Sequence, residues 1–217
     1  MRISLLHTID GNRHVFDDAA KQLGLAGGTL RHEVRADLRE AVQQAGAISE
    51  DVKTQTARCL AELAADSDAV VVTCATLGPI VDDMVHAAAA VPIVRADKAL
   101  AMAAANTGGN IAVLCAVEST IEANRRLFEQ HAAVAGASVE MIHVASAWAR
   151  FQAGDVAGAL SATAAAADEA YEAGAAVVAF AHPWMAPAVD RVRTKQRPLH
   201  SADAALRAVL ARAADAS

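Results

Sequence analysis

Asp68-Ala69-Val70-Val71-Val72-Thr73-Cys74-Ala75-Thr76-Leu77-Gly78-Pro79 is the stretch on which the fold turns. Three successive valines with no polar alternation read as a strand buried on both faces, the mark of a parallel sheet. Thr76-Leu77-Gly78-Pro79 breaks that run, and proline suits the first turn of a helix. Cys74 therefore stands where a strand delivers its last side chain into a loop. In open α/β sheets that edge is where ligands bind. The helix expected after it points its positive end toward the thiol, and such a neighbour favours the thiolate.

Outward from this stretch, strands are expected at 3–6, 29–34, 69–73, 91–94, 111–115, 139–144 and 176–180. Helical patterns fill 13–23, 50–65, 77–88, 97–105, 119–135, 156–173 and 202–214. Alternating strands and helices imply parallel sheets covered on both faces. Strand, helix, strand, helix, strand runs from Arg2 to Cys74 and again from Asn110 to Ala181. The expected fold class is α/β: two pseudo-symmetric lobes, each a parallel sheet flanked by helices, with the active site in the interlobe cleft. The lobes are expected at 1–96 plus about 199–217, and at 97–198. Laying the third strands over one another sets Cys74 against Ala181 and Ala75 against His182; a shift of one residue would set His182 there instead.

The chain has 217 residues, 54% of them hydrophobic and only 3% aromatic, so the core is expected to be Ala-rich helices on Val-rich strands. A net charge of -6 and no basic stripe argue against a nucleic-acid partner. No stretch is apolar for long enough to span a bilayer, and residues 1–7 read as a first strand and not as a signal peptide. Three cysteines without paired spacing read as free thiols in a reducing, cytoplasmic setting.

Other side chains collect at the same strand edges. His182 and Pro183 follow the last Val-rich strand, and a histidine exchanges protons near neutral pH. His7 ends the first strand. Thr8, Thr76, Ser119 and Thr120 follow strands near helix starts, where hydroxyls cap and backbone N–H groups bind carboxylates. As a set they suggest an anion site, with Ala75 and Ala181 on the same loops. Cys59 and Cys115 are assigned to packing, although Cys115 ends its strand. His14, His32, His86, His131 and His143 are read as surface or structural. No Gly-rich nucleotide loop, HExxH, GxSxG or zinc spacing occurs, so no metal and no cofactor is expected.

The chain resembles the aspartate/glutamate/hydantoin racemase superfamily. Val70 to Thr76 is similar to its first cysteine motif. Val91-Pro92-Ile93-Val94, Ile111 to Leu114 with Glu118-Ser119-Thr120, Gly154-Asp155, Gly174 to Val178 and Arg197 to Leu206 follow in the family's order. The resemblance implies cofactor-independent proton transfer beside a carboxylate, normally by two cysteines. It makes Cys74 one proton-transfer residue, Thr76 a carboxylate donor and Thr120 a second polar contact. It also implies a small carboxylate substrate and a homodimer. The chain departs where the second cysteine belongs, having Ala181-His182-Pro183, and it has Ala75 where the family has Asn or Ser. His182 is therefore expected to serve the face opposite Cys74, in a racemase- or epimerase-like reaction. Three alternatives stay open: a decarboxylase, a cis–trans isomerase, and a non-catalytic binder of small carboxylates.

Overall fold

The computed structural model describes residues 1–85 and 91–215. It divides into two units, Met1–Asp97 with Ala205–Ser217, and Lys98–Ala204. The first holds β1 (Ile3–His7), α1 (Asn12–Gln22), β2 (Leu30–Val34), α2 (Ala36–Ala45), α3 (Glu50–Ala65), β3 (Ala69–Val72), α4 (Gly78–Val85) and β4 (Ile93–Arg95). Next come α5 (Ala96–Thr107), β5 (Asn110–Cys115), α6 (Ile121–Ala135), β6 (Ser138–His143), α7 (Ala145–Gln152), α8 (Val156–Glu172), β7 (Val177–Phe180), β8 (Leu199–His200) and α9 (Ser201–Asp215). The unit boundaries fall inside α5 and α9.

Each unit is built on a four-stranded parallel sheet, ordered β2-β1-β3-β4 in the first and β6-β5-β7-β8 in the second. The central strands β1, β3 and β7 are buried along their whole length. Helices on both faces demand this, which is why these strands read as unbroken apolar runs. The edge strands β2 and β6 are half-buried and carry Arg31, Glu33 and Glu140, charges that discourage pairing with another chain. In the first unit Leu6, Val70, Val72, Leu38, Val52, Leu60, Leu63 and Ile80 form one apolar cluster. Each fully buried Leu, Ile or Val there contributes about 1.5–3 kcal/mol. Phe128, Leu114 and Phe180 fill the same role in the second unit.

Local chemistry starts the long helices. Ser49 caps α3 by accepting the Val52 N–H at 3.3 Å, and Asp155 caps α8 by accepting the Gly158 N–H at 2.8 Å. Gly109, at φ 74°, turns the chain into β5 where a Cβ would lie 2.8 Å from that of Ala176.

The structure departs from the sequence expectation in four places. Two helices, α2 and α7, lie where the sequence pattern marks none. α2 buries only Leu38, and α7 is eight residues long, follows β6 at once and has no side-chain cap. Residues 199–204, expected in the N-terminal lobe, lie in the second unit, because β8 pairs with β7. His182 replaces Ala181 as the residue equivalent to Cys74. Thr73 N–H donates to Leu6 O, and Ala181 N–H donates to Leu114 O, each at 3.0 Å. In that register Thr73 matches Ala181, and His7 matches Cys115. The end of the expected 77–88 helix, with His86, lies outside the described residues.

Candidate functional site

In a sheet ordered 2-1-3-4 the chain leaves its first strand in one direction and its third in the other, and the crevice at that switch point receives ligands. The switch point of the first unit is edged by His7 and Cys74, and that of the second by Cys115 and His182. Each unit thus presents one thiol and one imidazole on equivalent strand ends, in transposed order. Cys74 is partly buried against the apolar cluster of its unit, in extended backbone at φ -112° and ψ 115°, and it precedes a 3-10 turn, Ala75–Leu77, that runs into α4. His182 has the same geometry at φ -110° and ψ 133°, capping the 3-10 segment Pro183–Arg191. Ala75 and Thr76 are half-buried beside Cys74, while Ala181 and Pro183 are buried around His182.

In the first unit His7 is fully buried and both ring nitrogens are bonded within the unit. Nδ1 lies 2.9 Å from Thr73 Oγ1, and Nε2 lies 2.9 Å from His32 Nδ1. His32 Nε2 continues the line to Asp17 Oδ1 at 3.2 Å. Thr73 O–H donates to Leu6 O at 3.1 Å, which leaves its oxygen to accept from His7 Nδ1–H. Burial, then the charges of His32 and Arg13, push His7 down to about 3. The expectation of His7 as a ligand contact is thereby corrected: its ring spends both nitrogens tying β1 to β2 and β3. Thr8 is buried.

In the second unit the thiol and the imidazole meet. Cys115 Sγ lies 3.5 Å from His182 Nε2 and 3.2 Å from Thr120 Oγ1. Thr120 O–H donates to Val117 O at 2.8 Å, so its oxygen is free to accept the thiol proton. Thr120 is the N-cap residue of α6, but its side chain makes no capping bond there. Asn124 Nδ2–H donates to Thr120 O at 2.9 Å. Burial pushes the Cys115 thiol up, more than its bonds to Thr120, Val117 and Asn124 bring it down. Val117 N–H donates to His182 Nε2 at 3.2 Å, and burial lowers His182 to about 4. Trp184 lies parallel to the His182 ring, at 3° and 6.0 Å between centres; Phe151 stacks on Trp184 at 4.4 Å. Ser119 is exposed and joins none of these contacts.

Cys74, Thr76, Thr120 and His182 follow the ends of strands, as expected from sequence, while the bonds of Thr73, Asn124, His32 and the buried Cys115 to this region emerge only in the fold. The available signal was positional: Cys115 ends β5 as His7 ends β1, and Asn124 lies one helical turn beyond Thr120. No cluster of metal-ligating side chains occurs among the described residues.

No protein-family model and no curated protein matches the chain. Solved structures do. An aspartate racemase homologue from Pyrococcus horikoshii OT3 superposes with a TM-score of 0.71 at 13% identity, over 98% of this chain and 99% of that one. A glutamate racemase isoform from Bacillus anthracis gives 0.65 at 11% identity, over 100% of this chain and 82% of that one. An allantoin racemase from Pseudomonas fluorescens gives 0.61 at 18% identity, over 100% and 92%. Two four-stranded parallel sheets in the order 2-1-3-4 give this chain the fold of these aspartate, glutamate and allantoin racemase structures.

Proposed function

We propose that the chain is a cofactor-independent isomerase of the racemase or epimerase type, acting at the carbon next to a carboxylate of a small substrate. The observation that carries the reading is Cys74: a partly buried free thiol just beyond the carboxyl end of β3, beside the switch point, in a fold shared with amino-acid and allantoin racemases. In the proposed step the Cys74 thiolate takes the α-proton. The S–H bond forms as the C–H bond breaks, and the electron pair moves into the carboxylate. For inversion a proton is then delivered to the carbon from the opposite face by solvent water, and the sulfur gives up its own proton to solvent. Donors fixed in advance supply most of the stabilisation such a charge needs. Thr76 is assigned that contact, and a homodimer is the proposed assembly.

A second reading is favoured by the register. The residue equivalent to Cys74 is His182 and not a second thiol, so a reaction needing one thiol, such as decarboxylation of a malonate-type acid, fits the residues at least as simply. Solvent deuterium exchange separates the readings. Amino acids, hydantoins and substituted malonates are incubated with the protein in heavy water. An isomerase labels the α-carbon, a decarboxylase releases carbon dioxide, and a binder gives only a thermal shift. Cys74→Ser is expected to abolish labelling. Labelling at the wild-type rate in that variant would remove the thiol from the mechanism.

A further inference from the structure

We propose that His182 offers a carboxylate a fixed neutral donor through Nδ1–H, and that the ring exchanges no proton in doing so. The proposal rests on the preceding reading of a small carboxylate substrate and names the part His182 plays in it.

An imidazole nitrogen that accepts a hydrogen bond bears no proton, so in a neutral ring the other nitrogen must bear it. His182 Nε2 accepts the Val117 backbone N–H at 3.2 Å. That donor belongs to the main chain and has no rotamer by which to withdraw. The remaining group at Nε2 is the Cys115 sulfur, 3.5 Å away. Its burial keeps it a thiol, which donates or stays neutral and never demands a proton from the ring. Both neighbours therefore assign the single proton to Nδ1. Among the described residues Nδ1 has no hydrogen-bond partner. The ring is held in plane by Trp184 on its face and by the turn that His182 caps. Cys115, Val117 and Thr120 are positioning residues in this account, since they act on the substrate only through the imidazole.

A ring so arranged is a poor base. Its one free lone pair is occupied by a main-chain donor, and a second proton would set an N–H against the Val117 N–H in a buried place. Buried desolvation acts in the same direction, and no charged group offsets it. As a neutral donor it is well suited to a carboxylate oxygen, and the N–H bond stays intact throughout.

The experiment reads the tautomer directly. In the full-length protein labelled with 15N-histidine, long-range 1H–15N spectra are expected to show His182 protonated at Nδ1 alone at pH 7 and still neutral at pH 5. An Nε2–H tautomer, or an imidazolium at pH 7, overturns the proposal whatever the enzyme's activity. Malonate then serves as the probe ligand. It is expected to shift the Nδ1–H signal. His182→Ala is expected to lose about tenfold in malonate affinity, the worth of one hydrogen bond to a charged group. His182→Asn, which keeps an N–H near the Nδ1 position, is expected to hold affinity within about threefold. Equal affinity in all three proteins overturns the donor role but leaves Cys74-dependent deuterium exchange standing. A wild-type protein that binds no carboxylate overturns both this proposal and the reading it rests on.

Discussion

At pH 5 an imidazole in the unfolded chain carries a proton, whereas His182 in the folded chain does not. The ordinary value of 6.5 is lowered to about 4 by burial. Between those two values the unfolded state binds the extra proton, so stability rises with pH and is lost as pH falls from about 6.5 toward 4. At pH 5 the unfolded imidazole is protonated by a ratio of about thirty, worth about 2 kcal/mol, while at pH 7 the same preference is worth only about 0.2 kcal/mol. Acidification from pH 7 to pH 5 should therefore remove about 2 kcal/mol through His182 alone, a sizeable part of a typical folding free energy of about 5–15 kcal/mol. The perturbation that isolates it is His182→Gln, whose side-chain oxygen can still accept the Val117 N–H and does not titrate. Urea unfolding of both proteins is followed by circular dichroism at pH 7 and pH 5. Wild type is expected to lose about 2 kcal/mol more than the variant over that interval. His7, buried and lowered in the same sense, is present in both proteins and cancels from the comparison. Equal losses would mean that folded His182 takes a proton at the ordinary pH. That result would refute both the burial argument and the tautomer argument built on Val117.

The Asp168 carboxylate, buried on α8, accepts the Arg193 and Thr194 N–H groups at 2.9 and 3.3 Å and the Arg193 guanidinium at 3.0 Å. Burial pushes it up, but these donors outweigh burial and hold it below its ordinary 3.8. Asp168→Ala should cost about 2 kcal/mol in urea unfolding at pH 7 by stranding those donors. Because the folded carboxyl is the stronger acid, its contribution is present above about pH 4 and fades below, so the gap between wild type and variant should narrow at pH 3. An unchanged gap would refute that ordering. Gly78 opens α4 against the Arg95 guanidinium, whose Nε lies 2.8 Å from where a Cβ would stand. Arg95 is pinned by Asp82 and by Asp97 at 2.7 Å, so Gly78→Val should displace a buried ion pair and cost about 2–4 kcal/mol, read as a lower urea midpoint. A wild-type midpoint would show that the guanidinium moves aside freely.

Both sheets were legible because burial on two faces writes itself into sequence as unbroken apolar runs, as in Val70-Val71-Val72 and Val177-Val178-Ala179-Phe180. α2 and α7 were not, because a helix that buries one side chain, or is two turns long, leaves little periodicity to read. The slip at His182 has a comparable cause. Ala and Val recur so often that two strands can be laid over one another a residue out, whereas the hydrogen-bond register admits one answer.

From the sequence alone came the α/β class, the two repeats, and the thiol and histidine at the ends of Val-rich strands, because local composition and period determine which segments become strands and where they stop. Tertiary structure alone decided that His7 is bonded to Thr73 and His32, and that the buried Cys115 lies against His182. Those partners lie 25 to 67 positions apart along the chain. No local period links them; they meet because parallel pairing brings the ends of separate strands side by side.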